Sequence, residues 1–183
     1  MLKQLDKVKR LLFVLLIVSL SAGCFAEELL STTSGAPTDT SLVSGKSGQW
    51  GDAPDFTALK VGGGEFTLSS LQGKVILLHS WSVDCPFCKM QIPIFIELYK
   101  KYNNAGLEIV GVCFDRENVV KSFTKLTDMN YILILAKWEI LRKYRDLRFL
   151  PATFIIDRQG NIVEKYTGYT SKEILEKEMK KLL

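Results

Sequence analysis

The sequence is short of metal ligands. It holds one histidine, His79, and four cysteines, Cys24, Cys85, Cys88 and Cys113. Only one Cys-x-x-Cys is present, Cys85-Pro86-Phe87-Cys88. A structural zinc site takes four ligands, and the leftovers here would be Cys113 and His79. No metal is expected on that basis. Charge of one sign is also lacking. The formal net charge is +4, from 24 Lys+Arg and 20 Asp+Glu. Lys3, Lys7, Lys9 and Arg10 against Asp6 supply +3, leaving 20 basic and 19 acidic residues beyond position 10. A near-neutral domain gives no electrostatic case for nucleic-acid binding. The apolar run Leu11–Leu20, interrupted by Ser19, is too short for a comfortable span of ~30 Å of hydrocarbon, which takes about 20 residues. No internal repeat is visible.

What the N-terminus does contain is a targeting pattern. Basic Met1–Arg10, apolar Leu11–Leu20 and small Ser21-Ala22-Gly23 before Cys24 give residues 1–24 the layout of a secretory signal peptide. The ending resembles a bacterial lipobox, with Ser21 where Leu is usual, so Cys24 is the lipidation candidate. Cleavage after Ala26 and an uncleaved membrane anchor are the other readings. All three deliver the domain outside the cytoplasm, to the periplasm or cell envelope of a bacterium. Residues 25–49 are rich in Ser, Thr, Gly and Lys and read as a flexible linker. A terminus without a role fits them equally.

The folded domain is expected over 50–183. Ala53–Phe56 and Glu65–Thr67, separated by Val61-Gly62-Gly63-Gly64, suggest a β-hairpin. Leu68–Gly73 reads as a turn. Val75–Ser80 and Leu107–Phe114 are continuous apolar runs, as in strands covered on both faces. Pro86–Asn103 is helical by spacing, with Ile92, Phe95, Ile96, Tyr99 and Tyr102 on one side and Pro93 expected to kink it. Glu117–Leu126 reads as a helix with Val120, Phe123 and Leu126 facing in. Tyr131–Leu135 reads as a strand and Glu139–Tyr144 as a short helix. Ala152–Ile156 and Ile162–Thr167 flank the turn signal Asp157-Arg158-Gln159-Gly160. Ser171–Leu183 closes the chain as a helix that Ser171 can cap. Alternating strands and helices imply an α/β domain with a central mixed sheet flanked by helices.

Cys85 follows a buried strand and opens a helix. Orphan backbone N–H groups and the helix dipole there stabilise a thiolate. Cys88 lies one turn on and can attack a mixed disulfide formed at Cys85. Pro86 suits the first helical position, where its missing N–H costs nothing. Lys89 favours the thiolate and Asp84 opposes it. A disulfide between Cys85 and Cys88 closes almost no chain, so it contributes little as a staple. Redox work is the better use of it, though a purely structural disulfide is the bland alternative. Cys113 sits in a buried strand, as an inert small hydrophobe would.

The ordered set Ala53-Pro54-Asp55-Phe56, Leu68–Val75, Trp81-Ser82-Val83-Asp84-Cys85-Pro86-Phe87-Cys88-Lys89, Val110–Asp115 and Leu150–Gly160 resembles the TlpA/ResA-like branch of the thioredoxin superfamily. The resemblance covers most of Trp50–Leu183. It implies a thioredoxin fold with an N-terminal β-hairpin extension, and a redox-active Cys85–Cys88 pair beside a cis Pro151. Phe87 is part of the dithiol motif, and no cofactor beyond the dithiol is implied. Asp84, Phe149 and His79 depart from the family pattern. His79 stands where thioredoxins carry a buried acid. It could relay a proton to Cys88, or be a core histidine satisfied by a backbone partner. Trp81 could pack over the active site or belong to the core. The basic stretch Lys137–Arg148 reads as a solvated helix face.

The resemblance implies a reductant of protein disulfides, tethered at a membrane, recharged by a membrane electron donor and often serving cytochrome c maturation. Oxidant or isomerase is the second reading, since Cys-Pro-aromatic-Cys occurs in both directions. Thiol peroxidase is a third, favoured by Ser82 three residues before Cys85 and disfavoured by Leu78 at an expected proline position. A copper-binding chaperone is the fourth, disfavoured by the two-residue spacing and the lack of a later His.

Overall fold

The computed structural model describes residues 50–183. The expected leader 1–24, its Cys24 and the expected linker 25–49 lie outside the described residues. In chain order the elements are β1 (Thr57–Leu59), β2 (Glu65–Thr67), β3 (Val75–Trp81), α1 (Pro86–Tyr102), β4 (Leu107–Cys113), α2 (Glu117–Thr124), β5 (Ile132–Leu135), α3 (Trp138–Lys143), β6 (Ala152–Ile156), β7 (Ile162–Thr167) and α4 (Lys172–Lys180). The five longer strands form one mixed sheet in the order β5-β4-β3-β6-β7. β3, β4 and β5 run parallel to one another, β6 is antiparallel to β3, and β7 is antiparallel to β6.

β3 is the centre of this sheet, and all seven of its residues are buried. Side chains alternate across a strand, so one run feeds two cores. Val75 and Leu77 pack with Phe95 and Leu98 of α1 and with Leu175 and Met179 of α4. Ile76 and Leu78 pack on the other face with Phe56, Phe66, Ile140 and Tyr144. A third cluster joins Trp81, Cys88, Ile92, Cys113 and Val120 at the C-terminal end of β3. That end carries the chemistry described below.

Several sequence expectations shift by a few residues. The hairpin pairs Thr57–Leu59 with Glu65–Thr67, not Ala53–Phe56. Pro54 has no N–H to give, and the Asp55 carboxylate accepts the N–H groups of Phe56 and Ser69, each at 2.9 Å, turning the chain before it can pair. α2 stops at Thr124, so Leu126 leaves the inward face and is 86% exposed. Ser171 occupies the N-cap of α4, but its hydroxyl takes no backbone N–H there. On α1, Leu98 is fully buried and Tyr99 and Tyr102 lie at the margin. Pro93 lies inside the helix and cannot donate to the carbonyl one turn back.

The hairpin also guards a sheet edge. The Val61 N–H donates to the Leu133 carbonyl at 2.9 Å, and Lys60 bridges to Ile134. This covers part of β5, which would otherwise offer its backbone to another chain.

Gly111 is the tightest point of the sheet. It lies opposite His79 in the β3–β4 register. A Cβ there would sit 2.9 Å from Leu133 Cδ2 and 3.0 Å from both His79 Nε2 and Trp81 Nε1. Two of those neighbours are rigid rings that cannot step aside. Gly111→Ala is expected to cost about 1–3 kcal/mol of stability, the usual range for overpacking. A urea midpoint that falls with an unchanged slope would show it; an unmoved midpoint would contradict it.

Candidate active site at the junction of β3 and α1

Cys85 is the N-cap of α1, with φ −87° and ψ 112°. Pro86 follows at the first helical position, where it gives up no hydrogen bond. The Cys88 N–H donates to Cys85 Sγ at 3.2 Å. A backbone N–H at this place is what a thiolate would accept from. Cys85 and Cys88 are joined as a disulfide with their Cα atoms 5.2 Å apart. Exposure separates their roles. Cys85 is partly open to solvent, whereas Cys88 is only 1% exposed. An external sulfur can reach the first and not the second.

The surroundings are apolar and open. Phe87, Met90 and Phe149 are each more than half exposed. Lys89 is exposed beside them. Trp81, by contrast, is fully buried and meets Phe123 of α2 at a tilt, with ring centroids 5.6 Å apart. It belongs to the core beneath the dithiol, not to its outer rim.

The Leu150–Pro151 peptide bond is cis, as the family resemblance implies. Ser80 stitches this loop to the central strand. Its hydroxyl donates to the Phe149 carbonyl at 3.0 Å and accepts the Ala152 N–H at 3.0 Å. The Pro151 carbonyl accepts the Gly168 N–H at 2.7 Å. Among the described residues no loop hydrogen bond uses the backbone of Leu150. Leu150 itself packs in the cluster that holds Cys85 and Cys88.

Sequence reasoning missed Ser80, Gln91 and Asp115. Ser80 was detectable as a hydroxyl beside His79 in a strand whose other residues are apolar. Gln91 is 1% exposed and exchanges hydrogen bonds with the Thr170 backbone at 3.2 and 3.3 Å, tying α1 to the loop before α4. Its only signal was a polar residue on the buried face of α1. Asp115 ends the β4 run and reaches back to the active-site turn.

His79 is buried against Phe95, with ring centroids 4.2 Å apart, and meets Tyr131 edge-on at 5.6 Å. Loss of water pushes its pKa down to about 3, and the Ser80 backbone pulls weakly the other way. The ring is therefore neutral at physiological pH. Its Nε2 has no hydrogen-bond partner, and neither do Trp81 Nε1, Tyr131 Oη and Thr153 Oγ1 nearby in the core. A backbone partner thus does not satisfy the whole imidazole. Cys113 is buried and reduced, and burial pushes its thiol up to about 12. It stays protonated and unreactive, as expected of it. Among the described residues no group of three or more His, Cys, Asp or Glu is placed to hold a metal ion.

The buried neutral histidine sets a pH dependence. Its folded pKa lies below the ordinary 6.5, so the unfolded chain binds the extra proton between about pH 6.5 and 3. The stabilisation is whole above 6.5 and is lost as pH falls through that window. Its ceiling is on the order of 4–5 kcal/mol. His79→Leu should flatten that part of the stability curve relative to wild type. Parallel urea midpoints for the two proteins from pH 7 to 4 would contradict this.

The AhpC/TSA family profile matches residues 51–165. The thiol-disulfide oxidoreductase ResA of Bacillus thuringiensis subsp. konkukian is 32% identical over 133 residues, 72% of this chain and 76% of that protein. ResA of Bacillus subtilis is 32% identical over 126 residues, 68% of this chain and 70% of that protein. Among solved structures, a thioredoxin-family thiol:disulfide interchange protein from Chlorobium tepidum has a TM-score of 0.66 at 26% identity, covering 72% of this chain and 94% of the other. The site found here, a Cys-x-x-Cys disulfide at the head of a helix, is in keeping with those relatives. The chain belongs to the AhpC/TSA family, has the thioredoxin fold and is a thiol–disulfide oxidoreductase.

Proposed function

We propose that this oxidoreductase works outside the cytoplasm, tethered through its N-terminus, and reduces protein disulfides with Cys85 as attacking thiol and Cys88 as resolving thiol. The observation that carries this is the partly exposed Cys85 at a helix N-cap joined to the buried Cys88 one turn on. In the reduced protein the Cys85 thiolate attacks one sulfur of a target disulfide. The Cys85–target bond forms, the target S–S bond breaks, and one target thiolate leaves. Cys88 then loses its proton and attacks Cys85 Sγ. The Cys85–Cys88 bond forms and the second target thiolate departs. Two electrons have moved to the target, and its two thiolates take up protons from solvent and from Cys88.

The rest of the site supports a polypeptide target. Phe87, Met90 and Phe149 offer exposed apolar surface around the dithiol. The Leu150 backbone beside Pro151 is available to pair with an extended segment. The basic and apolar pattern of residues 1–24, with Cys24 as lipidation candidate, supports export and tethering. No described helix is long and apolar enough to cross a membrane. A membrane electron donor would recharge the disulfide, and an apocytochrome c is the target the ResA-like resemblance favours. His79, neutral with an open Nε2, is the candidate to take or give the Cys88 proton.

The family match also brings peroxide to mind as an oxidant for Cys85. In that reading Cys88→Ser turns over peroxide rapidly. Here the hydroxyl of Ser82, the residue that suggested it, is hydrogen-bonded to Asp115.

In Cys88→Ser the mixed disulfide on Cys85 cannot be resolved. It is expected to accumulate with a protein target and to be released by dithiothreitol, as seen by non-reducing electrophoresis and peptide mapping. Cys85→Ser should trap nothing and lose disulfide exchange. Full exchange activity in Cys85→Ser would overturn the assignment. The direction of flow follows from the reduction potential measured against glutathione. About 30 mV corresponds to ~1.4 kcal/mol for this couple, so a few hydrogen bonds can reverse it.

A further inference from the structure

The turn Ser82–Asp84, which delivers Cys85 from β3 to α1, is anchored from outside by one carboxylate. Asp115 lies just beyond β4, two residues past Cys113. Its Oδ2 accepts the Val83 N–H at 2.7 Å. Its Oδ1 accepts the Ser82 hydroxyl at 3.3 Å. The Cys113 thiol donates weakly to Oδ2 at 3.4 Å. Ser82 passes the constraint on. Its carbonyl accepts the Cys85 N–H at 3.2 Å, and its hydroxyl oxygen accepts the Asp84 N–H at 3.4 Å. The Phe114 N–H, donating to the Trp81 carbonyl at 3.2 Å, binds the same two chain segments at the base.

We infer that Asp115 is a positioning residue of the active site: it clamps the Ser82–Asp84 turn and so holds Cys85 at the N-cap of α1, in the geometry its reaction needs. This rests on Cys85 being the attacking thiol. The physical case is one of number and direction. A turn of three residues between a strand and a helix has few hydrogen bonds of its own. Here three donors converge on one carboxylate, two of them from the turn. Hydrogen bonds to a charged acceptor are stronger than neutral ones. Released from Asp115, the turn would let Cys85 drift from the Cys88 N–H that supports its thiolate. Small displacements of a reacting group can cost large factors in rate.

The carboxylate carries a second, opposite effect. Asp84 and Lys89 flank Cys85 on its own segment, and Asp115 reaches its turn from just beyond β4. A negative charge near a thiolate disfavours it. Removing the clamp slows Cys85, while removing only the charge speeds it. Asn keeps the shape and can still accept from Val83 and donate to Ser82, so it separates the two.

The test is the rate of Cys85 alkylation by iodoacetamide in the full-length reduced protein, followed by peptide mapping from pH 5 to 9. Reduction potentials and thermal unfolding are measured on the same samples. Asp115→Ala is expected to slow alkylation at pH 7 about tenfold and to raise the apparent titration midpoint of Cys85. Asp115→Asn should react at least as fast as wild type. Ser82→Ala should fall in the same direction as Asp115→Ala by less, and the double variant Ser82→Ala/Asp115→Ala should lose less than the two single losses combined. Asp115→Ala matching wild type in rate and midpoint would overturn the inference. So would Asp115→Asn falling as far as Asp115→Ala, since a side chain that keeps the hydrogen bonds would then fail to hold the rate. Wild-type Cys85 that alkylates no faster than an ordinary thiol would instead count against the attacking role of Cys85.

Discussion

Strand β3 has neighbours on both sides and a core on both faces, so it cannot shift without breaking the whole sheet. It pairs residue for residue with β4 from Val75 to Trp81 and with β6 from Ile76 to Ser80. Everything at the active site hangs from its C-terminal end. Cys85 comes four residues after Trp81, too few for the chain to wander before α1 begins. The partner strands contribute their own ends to the same place. β4 is followed by Asp115, and β6 is preceded by the cis Pro151. The sheet thus collects one thiol pair, one carboxylate and one proline loop from segments far apart in sequence.

Burying that junction carries a cost that an ordinary core would avoid. His79, Trp81, Thr153 and Tyr131 each keep a polar atom without a hydrogen-bond partner, and all four are buried. An unsatisfied buried polar atom costs roughly 1–3 kcal/mol. His79, Gly111 and Thr153 lie opposite one another in the register, so three positions of one row are polar or empty of side chain. Residues two or more places back along β3, Val75 and Leu77, pack in an apolar cluster instead. Polarity is concentrated toward the dithiol end of the sheet, where departures from pure packing are expected to serve chemistry.

Much of this was readable in advance, for definable reasons. Apolar runs of strand length placed β3 and β4 to within a residue, because a strand covered on both faces leaves an unbroken signature, and the turn signal Asp157–Gly160 placed β6. Cys85 and Cys88 were legible from spacing, and Pro151 through the family resemblance. The first hairpin strand was misplaced because Asp55 binds neighbouring N–H groups, a local bond that periodicity does not register. Leu126 was assigned inward because helical spacing continued past the point where α2 stops. Ser80, Gln91 and Asp115 went unread because their meaning lies in contacts across 32 to 79 residues. Asp115 meets Val83, Ser80 meets Phe149, and Gln91 meets Thr170 only after the sheet has formed.

The division of labour between an exposed and a buried sulfur can be measured directly. Reduced protein is mixed with one equivalent of a disulfide-containing protein, quenched in acid at intervals, and peptide-mapped for every sulfur. A mixed disulfide at Cys85 should appear first, then decay into the Cys85–Cys88 disulfide as two target thiols are released. A first adduct at Cys88, or a lasting bond that involves Cys113, would contradict it.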